Sequence, residues 1–332
     1  MNKINWGIIG CGDVTELKSG PAFNKVKNSS LVAVMRRDAA KAKDYAHRHK
    51  VPKWYAEADQ LINDPGVNAI YVATPPSSHE EYTISAIKAG KPVYVEKPMS
   101  VNFSSAKNMM QAANEYNSKL VVAHYRRAQP LFKKIKELLN ENAIGDIRIV
   151  NLICYKKSLT EHELSDSRIG WRVNPSIAGG GLFNDLAPHQ LDLMIYFFGE
   201  VDNATGIAAN QAHLYNADDV VAGSILFKSG VMFNGTWCFT IGENNEKDVC
   251  EIIGTNGKIS FAVFDHQAIT LTKEANTETI SFDKLLHVQQ PMIEKTVAYF
   301  LNESDNPCSG EDGVKVMELL DEFTQKSFNV FY

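Results

Sequence analysis

Trp6-Gly7-Ile8-Ile9-Gly10-Cys11-Gly12-Asp13-Val14-Thr15 reads as a buried strand that runs straight into a glycine turn. Residues 6–9 form a short apolar run bounded by that turn. Gly10 permits the tight turn. Gly12 lets the backbone approach a pyrophosphate, which the following helix N-terminus favours electrostatically. The stretch is a G-x-G-x-x-T form of the dinucleotide fingerprint, and it makes Gly10, Cys11, Gly12, Asp13 and Val14 candidate cofactor contacts. Thr15 stands where Gly or Ala is usual, so helix and strand are expected to pack slightly further apart. Gly20-Pro21 interrupts the helix, and Pro21 suits a restart in a first turn.

Working outward, strands are expected over 31–35, 67–73, 92–95 and 119–123, with helices over 80–89 and 104–116. That alternation describes a doubly wound parallel sheet over residues 1–123. Arg36-Arg37-Asp38 follows the second strand. An acidic residue there would bind the ribose 2′-hydroxyl of NAD, whereas arginines match a 2′-phosphate by bidentate contact. NADP is therefore the expected cofactor, with Arg36 and Arg37 as its readers; Asp38 keeps NAD open. The third strand ends in Thr74-Pro75-Pro76-Ser77-Ser78-His79. This loop is expected against the dinucleotide, with Ser77 or Ser78 capping the next helix. Tyr94-Val95-Glu96-Lys97-Pro98 closes the fourth strand. Open parallel sheets place their chemistry outside the carboxyl ends of the strands, and a lysine there binds an anion or passes a proton. Pro98 cannot donate to a ladder, so it ends the strand.

Past residue 123 the pattern changes. A helix is expected over 130–139. Closely spaced strands follow over 147–155, 219–227, 231–241, 249–253 and 258–264. Lys228-Ser229-Gly230 and Gly254-Thr255-Asn256-Gly257 are hairpin turns by composition, so the sheet is expected to be antiparallel. Helices over 291–301 and 311–327 end the chain. Two domains result, 1–123 and an α+β domain over 124–332. Within the second, Trp171-Arg172 precedes Gly179-Gly180-Gly181-Leu182-Phe183-Asn184-Asp185-Leu186-Ala187-Pro188-His189-Gln190-Leu191-Asp192. Asp185 is expected as a helix N-cap, with Pro188 in the first turn. Asp185 and His189 lie four apart, on one helix face, where a carboxylate orients an imidazole and raises its pKa. Such a histidine suits general acid or base work. A helix cap beside a surface histidine has the same spacing.

Composition narrows the classes. The chain has 332 residues, a length suited to about two domains. Its 44% hydrophobic and 22% charged content is ordinary for a globular protein. A net charge of −5 supplies no basic field for nucleic acid or an anionic membrane. Five scattered cysteines without a C-x-x-C pair suggest neither a disulfide framework nor a zinc site. Neither a signal peptide nor an apolar run of about 18 residues is read. A cytoplasmic protein is the expectation by elimination.

Together the fingerprint, Glu96-Lys97-Pro98 and the GGG-x-x-x-D-x-x-x-H-x-x-D segment resemble the glucose-fructose oxidoreductase / inositol dehydrogenase (Gfo/Idh/MocA) family over essentially the whole chain. The resemblance implies a Rossmann domain followed by a domain with an open-faced antiparallel sheet. It implies an NAD(P)-dependent oxidoreductase of a sugar, polyol or related diol, assembled as a homodimer or homotetramer through that sheet. By resemblance Lys97, Asp185 and His189 are catalytic, and the Glu96-Lys97 pair lies by the nicotinamide ribose. Thr74, Pro75 and His79 belong to a cofactor-contacting loop, and Trp171-Arg172 reaches the nicotinamide end. Arg126-Arg127 matches a frequent arginine segment, Asp192 is often acidic, and His287 falls where an aromatic or histidine lines the site. Either Lys97 or His189 accepts the proton. A glycosidase with tightly held NAD and a non-catalytic sugar sensor are the alternatives on this scaffold.

Overall fold

A computed structural model describes residues 2–265, 267–274, 276–325 and 327–329. From the N-terminus the chain forms β1 (Ile4–Ile9), α1 (Asp13–Leu17), β2 (Ser29–Met35), α2 (Ala39–Arg48), β3 (Lys53–Tyr55), α3 (Ala58–Ile62), β4 (Ala69–Val72), α4 (His79–Lys88), β5 (Val93–Val95), α5 (Phe103–Glu115) and β6 (Leu120–Val122). Then come α6 (Pro130–Asn140), β7 (Ile147–Lys157), α7 (Glu161–Ser165), α8 (Pro175–Ala178), α9 (Leu182–Phe198) and β8 (Val201–Asn210). The strands β9 (Val220–Phe227), β10 (Met232–Ile241), β11 (Lys247–Gly254), β12 (Gly257–Phe261), β13 (Ala268–Lys273) and β14 (Asn276–Ser281) follow. The last elements are α10 (Gln290–Phe300), α11 (Gly310–Thr324) and β15 (Ser327–Asn329).

Contacts group the chain into two units, Met1–Ala128 with Leu285–Met317, and Gln129–Lys284 with Glu318–Tyr332. The sequence reading placed one break after residue 123. The units depart from a single break because the segment 285–317 returns to the first one. There Phe300 of α10 packs 5.5 Å from Trp6, centroid to centroid. Lys119 caps the end of α10 through the carbonyl of Tyr299 and through Asn302 Oδ1 at 2.6 Å.

In the first unit all six strands pair in parallel, in the order β3-β2-β1-β4-β5-β6. The order reverses between β1 and β4, so the loops after those strands border the crevice where open sheets bind ligands. β4, β5 and β6 are buried at every position. Such runs are what a sheet covered on both faces requires. The aromatic core joins Trp6, Phe23, Tyr71 and Tyr94.

The second unit carries a nine-stranded sheet ordered β14-β13-β12-β11-β7-β10-β9-β8-β15. It is mainly antiparallel, but β7 and β10 pair in parallel, as do β8 and β15. The sequence reading missed this because the chain leaves β7 for a long excursion and re-enters beside it in the same sense. Along β9 and from Phe233 to Phe239 on β10, buried residues alternate with partly exposed ones. Gly206, Gly223 and Gly235 stand side by side across β8, β9 and β10. A Cβ on Gly223 would lie 2.3 Å from the Phe323 ring, so the missing side chain is what lets α11 lie against the sheet.

Several boundaries differ from expectation. α9 starts earlier than the aspartate suggested: Gly181 is its N-cap, Asp185 lies in the first turn, and Pro188 is inside the helix. The close approach decides this, because a Cβ on Gly181 would meet Ala217 Cβ at 2.8 Å. Ser78 sits at the N-cap of α4 without bonding the helix; its hydroxyl lies 2.9 Å from Thr74 Oγ1. Strands β3, β8, β13, β14 and β15 were not anticipated. The last helix ends at Thr324, ahead of the expected 327, and Lys326 lies outside the described residues. Among the described residues no helix is long and apolar enough to cross a membrane.

Candidate active site

In the first unit the glycine turn and the β4–α4 loop are built against each other. Gly10 has φ +95°, and a Cβ there would fall 2.8 Å from the Thr74 backbone nitrogen. Only glycine tolerates both conditions. A Cβ on Gly12 would meet nothing nearer than Gly10 O at 4.0 Å. The open ground beside Gly12 is what a pyrophosphate needs from this turn, so the chain fits the dinucleotide its fingerprint implies. Cys11 is buried, which pushes its thiol up to about 11 and leaves it an unreactive packing residue. Thr15 is also buried; its hydroxyl donates to Gly12 O at 2.7 Å and its carbonyl accepts from Tyr45. Asp13 and Val14 open α1.

At the end of β2, Arg36 Nη1 donates to Cys11 O at 3.2 Å, so its guanidinium lies beside the glycine turn. Arg37 is exposed. Asp38 is committed elsewhere. It is the N-cap of α2, with Oδ1 accepting from the Lys41 N–H at 3.1 Å and Oδ2 3.3 Å from Lys41 Nζ.

Lys97 stands just past β5, half-buried, on a turn whose Lys97-Pro98 bond is cis. Beneath it the buried Glu96 accepts three hydrogen bonds. Oε1 takes the Tyr71 hydroxyl and, at 2.6 Å, Gln289 Nε2; Oε2 takes the Lys97 N–H at 3.1 Å. His79 is fully buried and spans two loops, with Nε2 2.7 Å from Thr74 O and Nδ1 3.0 Å from Pro98 O. Burial holds its pKa below the ordinary histidine value. Pro75 precedes the short 3-10 turn that leads into α4. Thr74, Pro75, His79, Glu96 and Lys97 are thus gathered on neighbouring loops, as the alternating pattern requires. Arg127 is held by an ion pair to Asp312 at 3.1 Å. Burial alone would raise the Asp312 carboxyl, but Arg127 and the Ser309 N–H bring it below its ordinary value. His287 is buried with Nδ1 2.7 Å from Leu17 O.

In the second unit Trp171, Arg172 and Asp185 come together. The Arg172 guanidinium lies 4.7 Å from the Trp171 ring centre, and its Nε is 3.2 Å from Asp185 Oδ2. His189, one turn on from Asp185, is buried, with the Phe264 ring edge-on at 5.8 Å. Phe264 is carried by a loop that Asp248 pins through three backbone N–H groups, of Val263, Phe264 and Asp265. Asp192 is buried on the same helix. Sequence reasoning missed Tyr71, Gln289, Phe264 and Asp248. Tyr71 and Phe264 were read only as strand residues, and Gln289 lies 193 residues from Glu96 with no local signature.

A parallel sheet with a glycine turn after its first strand is joined in this chain to a mainly antiparallel nine-stranded sheet. Residues 4–124 match the model of the oxidoreductase family with an NAD-binding Rossmann fold, and residues 132–260 match the Gfo/Idh/MocA C-terminal domain. The chain is 47% identical over 322 residues to Oxidoreductase P35 of Formosa agariphila, covering 97% of this chain and 98% of that one. It is 28% identical over 259 residues to the trans-1,2-dihydrobenzene-1,2-diol dehydrogenase of Mus musculus, covering 76% and 73%. Its fold is similar to that of a levoglucosan dehydrogenase solved with NADH and levoglucosan, with TM-score 0.86 and 22% identity over 97% and 96% of the two chains. The chain belongs to the Gfo/Idh/MocA family and is an NAD(P)-dependent oxidoreductase.

Proposed function

We propose that this oxidoreductase moves a hydride between NADP and a secondary alcohol or ketone of a sugar, polyol or related diol. The diol named for the mouse relative supports that substrate class. The observation that carries the reading is the placement of Lys97 at the carboxyl end of β5, on a turn held by a buried carboxyl group. Gly10, Cys11, Gly12, Asp13, Val14, Thr74, Pro75 and Glu96 would hold the dinucleotide, and His79 would hold the loops that do so. Trp171 and Arg172 would serve its nicotinamide end. A bound nicotinamide supplies the hydride acceptor or donor.

The chain's own groups supply orientation and charge. Lys97 donates a hydrogen bond to the reacting oxygen and stabilises negative charge that develops there. His189 takes up or returns the hydroxyl proton. Asp185, anchored by Arg172, sits one turn before it on the same helix. Comparing the pH profiles of turnover of wild type, Lys97→Ala and His189→Ala separates the two candidate proton acceptors.

The NADP assignment rests on Asp38. With its carboxylate spent on the α2 cap, arginines are what remains for the 2′ position. Intrinsic tryptophan fluorescence titrated with NADPH and NADH tests it. Tighter NADPH binding that falls about ten- to hundredfold in Arg36→Ala is expected for loss of a charge-assisted contact. Equal or tighter NADH binding overturns the NADP assignment. A panel of sugars and polyols in which none reduces NADP or NAD overturns the substrate class.

A homodimer or homotetramer through the open face of the nine-stranded sheet belongs to the same proposal. Ile149, Ile153, Leu226, Met232 and Val249 leave apolar surface on that face, in register across β7, β9, β10 and β11. Light scattering that gives a monomer mass would overturn it. A cytoplasmic location belongs to the same proposal.

A further inference from the structure

Gln289 lies in the segment that leads into α10 and is completely buried. Its carboxamide is used at both ends. Oε1 accepts from the Tyr94 hydroxyl at 3.1 Å, and Nε2 donates to Glu96 Oε1 at 2.6 Å. That same carboxyl group receives the Tyr71 hydroxyl and the Lys97 N–H. The backbone of the segment holds a second place. The Gln289 N–H donates to Lys18 O at 3.2 Å, and His287 Nδ1 lies against Leu17 O. The residues Leu17 and Lys18 end the helix that begins at the glycine turn. One short stretch therefore grips both the glycine-turn helix and the support of the lysine turn.

We infer that Gln289 is a positioning residue for Lys97, acting through the Glu96 carboxyl group, with Tyr71 as its partner in the same task. Glu96 has rotatable bonds of its own and would swing if held at one oxygen. Donors from β4 and from the 287–290 segment fix Oε1, which directs Oε2 at the Lys97 peptide. The clamp bears on the proposed function only in what the lysine turn is for; the placement of Lys97 is testable without a substrate.

The charged and titratable groups facing Glu96 are few. Tyr71 on β4 and Tyr94 on β5 are pushed far above the usual phenol range by burial and by the Glu96 charge, so both remain donors. His79 on α4 is held low by burial. His287, on the clamping segment itself, has Nδ1 on Leu17 O. Lys97 is the neighbouring cation. A Gln289→Glu variant keeps the shape and the acceptor for Tyr94 but loses the donor to Glu96. At low pH one shared proton restores that donor; at high pH two carboxylates face each other and repel.

The readout is competitive acetylation of Lys97 by acetic anhydride, measured by peptide mass spectrometry against exposed Lys3. Gln289→Glu should change the relative Lys97 rate about tenfold at about pH 9, as expected for loss of one buried hydrogen bond, and return towards wild type at about pH 7, where the buried carboxyl pair takes up its shared proton. The turnover ratio of variant to wild type, once a sugar or polyol substrate is in hand, should follow the same pH course with KM for substrate little changed. Thermal melting reports the fold at each pH. A folded variant whose Lys97 rate matches wild type at both pH values overturns the inference. If Gln289→Glu does not fold, Tyr71→Phe replaces it. That change keeps the ring packing at 5.1 Å to Tyr94 and 5.3 Å to Phe23 while deleting the hydroxyl. An unchanged Lys97 rate in folded Tyr71→Phe overturns the inference equally. Should Lys97→Ala retain full turnover, the catalytic reading fails and the acetylation result still stands.

Discussion

The lysine turn of the first unit and the Asp185–His189 helix of the second carry the proposed chemistry in different ways. Lys97 is held by contributions from three stretches outside its own turn: Tyr71 on β4, His79 at the start of α4, and the segment at Gln289. Asp185 and His189 share one helix, four residues apart, where Arg172 and Phe264 of the same unit meet them. Long-range positioning is sensitive to any one of its parts, because each removed donor strands a buried acceptor. Helical positioning is local, and distant changes should reach it only through the partners of its side chains, such as Arg172 and Phe264.

The largest expected effects test whether both regions are needed. Lys97→Ala and His189→Ala should each lower turnover by about two to four orders of magnitude, with cofactor affinity for His189→Ala close to wild type. Steady-state kinetics on the best sugar or polyol measures this. A His189→Ala enzyme with near-normal kcat would break the comparison by leaving the helix without a chemical role. Arg172→Ala comes next. Losing the ion pair to Asp185 and the stack on Trp171 should cost about tenfold in kcat, since partly exposed pairs and cation–π contacts are each worth about 1 kcal/mol. Arg172→Lys should recover part of it, and an unchanged kcat would show that Asp185 is positioned without the guanidinium.

The smallest effect is on stability and sharpens the account of the lysine turn. His124 follows β6 and is buried; burial first, then Arg127, pushes it down to about 3. In an unfolded chain the same imidazole titrates near 6.5. The unfolded chain therefore takes up a proton below about pH 6.5 that the fold refuses. Its contribution to stability is at its maximum above that pH and falls on acidification, by about 2 kcal/mol at about pH 5. His124→Gln should flatten this part of the melting profile. A variant whose melting temperature falls between pH 7 and 5 as steeply as wild type would show that another group titrates there.

Much of the fold was legible in the sequence because its signals are short-range. Ile4–Ile9 is a buried strand that runs into Gly10, whose positive φ is a property of the tight turn itself. The hairpins at Lys228-Ser229-Gly230 and at Gly254-Thr255-Asn256-Gly257 join adjacent strands, as their composition required. The same-face spacing of Asp185 and His189 follows from helical periodicity alone. The start of α9 was misread because aspartate is a strong capping residue, whereas here close packing of Gly181 against Ala217 sets the boundary. Pairing sense could not be read for β7 and β10, since parallel neighbours are joined by a connection of no fixed length.

What the amino-acid sequence determined by itself is the alternation of strands and helices, the glycine turn, and the presence of Lys97, Asp185 and His189 at particular points along it. Periodicity and turn chemistry act over a few residues, so a linear reading reaches them. The tertiary structure alone decided that Arg36 lies beside the glycine turn, that Arg172 meets Asp185, and that Gln289 reaches Glu96 from 193 residues away. Each of these is a choice of partner for a polar group. A buried donor or acceptor takes whichever complement the folded chain brings within about 3 Å, and only the assembled fold settles which one that is.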